Sequence, residues 1–143
     1  MIRRQFFTAL ALLATVFLAA CMSPPTGLDL SQKRSTARNL YLVEVQSLAD
    51  QIAINKMHAW EAKVKLATGE PVRGASITVG GGMPQHGHGY PTQPRVTKEL
   101  GDGRYLIEGM KFSMSGWWEL KLKIDSSAGV DDVTFNTVIA PGP

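Results

Sequence analysis

From His58 to Leu66 the side chains alternate in character. His58, Trp60, Ala62, Val64 and Leu66 share one face, while Glu61, Lys63 and Lys65 share the other. A period of two with charge on one side is a half-buried β-strand. The pattern recurs along the chain. Tyr41, Val43 and Val45 share a face, as do Ala75, Ile77 and Val79. Trp118, Leu120, Leu122 and Ile124 lie opposite Glu119, Lys121 and Lys123, and Val133, Phe135, Thr137 and Ile139 close the set. Short runs around Val96 and from Arg104 to Glu108 add two more strands, with turn chemistry at Thr68-Gly69-Glu70-Pro71 and Gly101-Asp102-Gly103 between runs. Ser47 to Ile54 is the one helical candidate, short and weakly amphipathic. About seven short strands separated by turns predict an all-β fold, an immunoglobulin-like β-sandwich, with a small β-barrel as the alternative. No internal repeat is visible.

The N-terminus is of another kind. Arg3 and Arg4 precede an apolar run, Phe6 to Ala20, interrupted only by Thr8 and Thr15. A basic start, a short apolar stretch and small residues at its end are the pattern of an export signal, and the run is short for a membrane span, which takes about 20 apolar residues. Leu18-Ala19-Ala20-Cys21 resembles a bacterial lipobox. That resemblance implies removal of residues 1–20, diacylglyceryl attachment to the Cys21 thiol and acylation of the new amine. Two or more acyl chains anchor stably where one does not, each buried CH₂ contributing about 0.8 kcal/mol. Met22 follows in place of an Asp, which by resemblance to bacterial sorting rules favours the outer membrane, on its periplasmic side. Arg3-Arg4-Gln5-Phe6-Phe7 also resembles a weak twin-arginine signal, but adjacent arginines are common and the general export route is preferred.

Cys21 is the only cysteine, so no intrachain disulfide forms and no thiol is left for catalysis or metal. The formal charge is +3, and loss of Arg3 and Arg4 with the signal leaves +1; neither nucleic acid nor a polybasic membrane patch is indicated. Residues 22–39 hold Pro24-Pro25, Gly27 and the basic Lys33, Arg34 and Arg38. They read as a flexible tether, with Cys21, spanning on the order of 20–25 Å. Residues 40–143 then form one domain, long enough to bury a modest core.

Chemistry-bearing side chains gather in two stretches. One is Gly80-Gly81-Gly82-Met83-Pro84-Gln85-His86-Gly87-His88-Gly89-Tyr90, and the other is Gly109-Met110-Lys111-Phe112-Ser113-Met114-Ser115-Gly116-Trp117-Trp118. If the chain is extended at His86-Gly87-His88, both imidazoles point the same way. Neutral imidazole suits Cu, Zn and Ni, and thioether suits Cu(I). Met83, Met110 and Met114 would add sulfur if the two loops meet at one end of the sandwich. No carboxylate lies within either loop, which argues against a Ca²⁺ or Mg²⁺ site. The competing reading is a tight loop whose glycines supply positive φ and whose histidines bond neighbouring backbone, with methionines filling core gaps. His58, on the apolar face of its strand, reads as a satisfied histidine and becomes a ligand only if its end of the strand meets the His86 loop. Trp60 and Trp118 belong to inward faces. Trp117 then points outward, where it could cover a metal, contact a partner or lie beneath the tether.

The succession of His58 and Trp60, Gly69-Glu70-Pro71-Val72 with Gly74-Ala75, Met83-Pro84-Gln85-His86-Gly87-His88-Gly89, Gly103-Arg104-Tyr105, and Phe112, Met114, Gly116 and Trp118 resembles the YtkA-like domain family, related to FixH-like proteins, across roughly residues 40–140. The resemblance implies an immunoglobulin-like fold and a link to copper handling or oxidase assembly. It supplies no catalytic residues.

An enzyme is not expected. Gly-x-Ser-x-Gly, a free cysteine and the zinc-protease helix motif are all missing. Asp102, Asp131 and Asp132 fall in turns or at strand ends, where capping or solvated roles are usual. Two classes remain: a copper-binding lipoprotein held to the membrane by acylated Cys21, and a structural or interaction module that binds another envelope protein through its loops or an edge strand.

Overall fold

The computed structural model describes residues 23–142. The expected export signal, 1–20, and Cys21 lie outside the described residues. The strands are β1 (Lys33–Ser35), β2 (Tyr41–Ser47), β3 (Met57–Leu66), β4 (Ser76–Met83), β5 (His88–Gly89), β6 (Arg95–Gly101), β7 (Arg104–Lys111), β8 (Gly116–Ser126) and β9 (Gly129–Ile139). They form two antiparallel sheets, ordered β1-β2-β3-β7-β6 and β5-β4-β8-β9. The fold is an immunoglobulin-like sandwich, and the sheets do not close into a barrel. Among the described residues nine strands replace the seven or so expected: β1 and β5 are the additions.

Alternation decides which residues enter the core. Tyr41, Val43 and Val45 are buried from β2; Trp60, Ala62 and Val64 from β3; Trp118, Leu120, Leu122 and Ile124 from β8. Each of the valines, leucines and isoleucine among them contributes about 1.5–3 kcal/mol by leaving water. Their charged neighbours stay outside and pair there, as Arg104 does with Glu61 at 3.4 Å. No helix forms at Ser47 to Ile54, which bends from β2 toward β3. The segment is too short to nucleate a helix without an apolar face to dock.

Two stretches differ from the sequence reading. The glycine-rich loop begins as strand: β4 runs through Gly80-Gly81-Gly82 to Met83, paired to β8 as far as Gly82 opposite Glu119. The tether is also shorter than residues 21–39. Lys33–Ser35 pairs with Leu42–Glu44 of β2, and Thr36 is buried. The segment before β2 follows the outer edge of β9. Ala37 N–H donates to Asp132 O at 2.8 Å, Arg34 Nη1 donates to Thr134 O, and Asn136 Nδ2 donates to Asp29 O at 3.0 Å.

Asp131 closes this seam between the sheets. Its carboxylate accepts from Arg38 N at 3.0 and 3.1 Å, Leu40 N at 3.2 Å and Asp132 N at 2.9 Å. Burial pushes this carboxyl up, but the Thr36 hydroxyl beside it and those three backbone N–H groups outweigh burial and hold it below its ordinary value.

Candidate functional site

At the end of β4 the chain makes a 3-10 turn, Pro84–His86, and Gly87 takes a left-handed conformation at φ 65°. β5 then returns, with Met83 opposite His88 and Gly82 opposite Gly89. His86 and His88 therefore sit on a hairpin tip rather than on an extended loop. Both are exposed, and their ring centres are 6.0 Å apart. His88 Nδ1 lies 2.9 Å from Gly89 O. A neutral His88 that donates Nδ1–H to that carbonyl leaves Nε2 bare, the arrangement that backbone carbonyls impose on metal-binding histidines.

The glycines are what allow the hairpin to lie here. A Cβ on Gly81 would meet Glu119 O at 2.0 Å, and one on Gly82 would meet His88 O at 2.2 Å. Beyond the tip, Tyr90 folds under the hairpin and stacks on Trp118 with ring centres 5.4 Å apart. Its hydroxyl donates to Glu119 O at 2.9 Å. Burial, with a smaller contribution from the Glu119 carboxylate, pushes the Tyr90 phenol well above its ordinary range, so it serves as a neutral donor. His88 meets the edge of Trp118 at 5.8 Å.

The two chemistry-bearing stretches converge. A Cβ on Gly116 would touch Met83 Cε at 3.1 Å, and Trp118 Nε1 donates to Met114 O at 3.0 Å. Trp118 thus joins His88 on one side to the Met114 turn on the other. The three methionines differ in access. Met83 is 1% exposed, Met110 is fully buried and Met114 is 38% exposed. Met110 lies opposite His58 in the β3–β7 register and belongs to the core, not to the hairpin end that solvent reaches. Met83 is packed beneath the turn. Of the sulfurs expected to join a site, Met114 alone is open to solvent.

His58 is buried, with Nε2 2.9 Å from Ala53 O and its ring against Phe112. It is a satisfied core histidine. Trp117 turns to the outer face of β8, where it is half-buried and donates Nε1–H to Asn136 Oδ1 at 2.9 Å. Since Asn136 also holds Asp29, Trp117 sits beside the N-terminal segment rather than over the histidines.

Sequence reasoning did not bring Glu119 to the site. It lines, with His88, Met83 and Lys121, a shallow concavity of about 250 Å³ beside the hairpin. Its carboxylate is paired to Lys121 Nζ at 2.8 Å. The alternation had already set Glu119 on the polar face of its strand; the pairing of β4 with β8 that carries it to the hairpin is a long-range fact. Among the described residues, no three His, Cys, Asp or Glu side chains gather as a metal cluster. An ion held here would rely on the imidazoles with a thioether, or with a ligand from outside the chain.

A model of the YtkA-like family matches residues 37–123. The chain belongs to the YtkA-like family. That match runs from the seam at Ala37 and Arg38 into β8 and takes in the whole histidine hairpin and the Met114 turn. No curated protein and no solved structure matches the chain. The YtkA-like domain is thus known here by its family and its β-sandwich.

Proposed function

We propose that this protein is a copper-binding lipoprotein of the bacterial envelope, held by acylated Cys21 on the periplasmic side of a membrane, the outer membrane favoured, and that His86 and His88 receive the ion. One observation carries the reading: two exposed imidazoles with ring centres 6.0 Å apart on a hairpin tip. Two imidazoles on one ion, each bonded at about 2 Å, bring their ring centres to about this separation when the ion lies between them.

The donor set supports copper over other ions. Two imidazoles and an exposed thioether at Met114 suit Cu(I), which accepts soft donors and low coordination. Hard cations want six or more oxygens, and structural zinc wants four nitrogen or thiolate ligands. Membership of the YtkA-like family is in keeping with a role in metal handling or oxidase assembly. The lipobox-like Leu18-Ala19-Ala20-Cys21 supports anchoring.

Titration of the purified protein with Cu(I) under reductant, and with Cu(II) separately, tests the reading. Binding is expected at one ion per chain and should be lost in the His86→Ala/His88→Ala double variant. Met114→Leu should weaken Cu(I) more than Cu(II). Absent binding, or weak binding unchanged in the double variant, overturns the metal reading and leaves the hairpin as a contact for an envelope protein.

A further inference from the structure

The sandwich holds a second feature, which shares Tyr90 with the histidine hairpin but neither histidine. Between the sheets on the β9 side lies a pocket of about 230 Å³. Its interior wall is Val45, Trp60, Met110, Phe112, Leu120 and Phe135. Leu30, Ser31 and Gln32 of the N-terminal segment line its solvent side, where all three are exposed. Well-packed cores leave few voids larger than a water molecule, so a space of this size between two sheets is a feature of the fold.

One residue of this wall, Trp60, carries a buried polar group with nothing to bond. Trp60 is 4% exposed, and its indole N–H is the buried side-chain polar atom without a partner among the described residues. Buried indole N–H groups ordinarily find an acceptor, as those of Trp117 and Trp118 do here. No lysine, arginine, aspartate, glutamate or histidine lines the pocket, so nothing there compensates a charged guest. The amide of Asn136, at the rim, is already engaged by Trp117 and Asp29.

We infer that this pocket binds a small uncharged molecule, apolar over most of its surface and carrying one oxygen acceptor, a ketone, ester or ether, for the Trp60 indole. Size follows from volume. An apolar cavity of about 150 Å³ takes benzene, so this one takes a six-membered ring with two or three further heavy atoms, or a short chain of equal bulk. The N-terminal segment forms the solvent-side wall, held there by Val45 N–H donating to Gln32 O at 2.8 Å and by Asn136 Nδ2 donating to Asp29 O.

The test is an ¹⁵N–¹H spectrum of the metal-free protein, in which the three tryptophan indoles give three signals. Acetophenone is the probe; ethylbenzene has nearly its shape without the acceptor, and benzoate adds a charge. Acetophenone should move the Trp60 indole proton downfield saturably and further than those of Trp117 and Trp118, which keep their protein acceptors. Ethylbenzene should bind about tenfold more weakly with no downfield shift, and benzoate should leave the Trp60 signal unmoved. Trp60→Phe, which keeps the apolar wall, should bring acetophenone down to the affinity of ethylbenzene. A Trp60 signal that does not respond saturably to acetophenone in the unaltered protein overturns the proposal. So does ethylbenzene binding as tightly as acetophenone.

Discussion

Replacing Asp131 by alanine tests whether the seam between the sheets is held electrostatically. The carboxylate accepts three backbone N–H groups, from Arg38, Leu40 and Asp132. Each hydrogen bond to a charged acceptor is worth about 1.5–3 kcal/mol. Arg38 is exposed and Leu40 only partly buried, so water makes good about one of the three bonds, and the other two count at the low end. Asp131→Ala should therefore cost about 3 kcal/mol. For a domain of roughly 120 ordered residues this lowers Tm by about 12 °C. Asp131→Asn keeps one acceptor oxygen and should cost about half as much. The pH dependence gives a second reading. The folded-state carboxyl is held below its ordinary value, so its contribution is complete above an unfolded-chain value of about 3.9 and is lost as pH falls through the folded value. Urea unfolding at pH 7, 5, 4 and 3 should show the unaltered protein losing stability between pH 5 and 3 more steeply than Asp131→Asn. An alanine variant within about 1 kcal/mol of the parent, or an asparagine variant with the parent's acid slope, would refute this account.

Two further outcomes bear on the hairpin. Gly82→Ala places a methyl 2.2 Å from His88 O at a φ of +147°; hydrogen exchange should speed at Gly82 and Met83 while β3 and β7 stay protected, and copper affinity should fall with the loss of the tip. Met110→Ala opens a cavity in a fully buried position and should cost about 2–5 kcal/mol in chemical denaturation, yet leave the stoichiometry and affinity of copper unchanged, because Met110 faces the core.

The sandwich was legible wherever strands carry side chains on two contrasting faces. β2, β3, β8 and the second half of β9 declare themselves because one row of residues is buried and the next is in water. β1 does not, for Lys33-Arg34-Ser35 has no apolar row and becomes a strand only by pairing with β2. Glycines at 80–82 hid the end of β4, since a residue without a side chain carries no alternation; Met83 is nevertheless in phase with Ile77 and Val79, and its burial follows once the glycines are counted as strand. Met110 was obscured differently. Between His58 and Trp60 the β3–β7 register shifts, with Glu108 and Gly109 together facing the single residue between them, and Gly109 takes a φ of 85°. That bulge advances the inward face by one residue, so the row Tyr105 and Ile107 continues at Met110 rather than at Gly109. Of the site, the two histidines were visible as residues, but their meeting with Trp118 and Glu119 depends on strand pairing that local sequence does not encode.

The N-terminal segment along β9 has a consequence for how the protein behaves in a crowd. β9 has eleven residues, with Val130 and Val138 exposed, and a long bare strand edge of that kind templates the addition of further chains. Ala37 N–H and Arg34 Nη1 occupy its outward-facing carbonyls at Asp132 and Thr134, and the Asp29 carbonyl takes the side-chain amide of Asn136. What reads in sequence as a leash is in this respect a guard against polymerisation: a domain trimmed to begin at residue 40 would keep most of its core and lose its defence against stacking on its own copies.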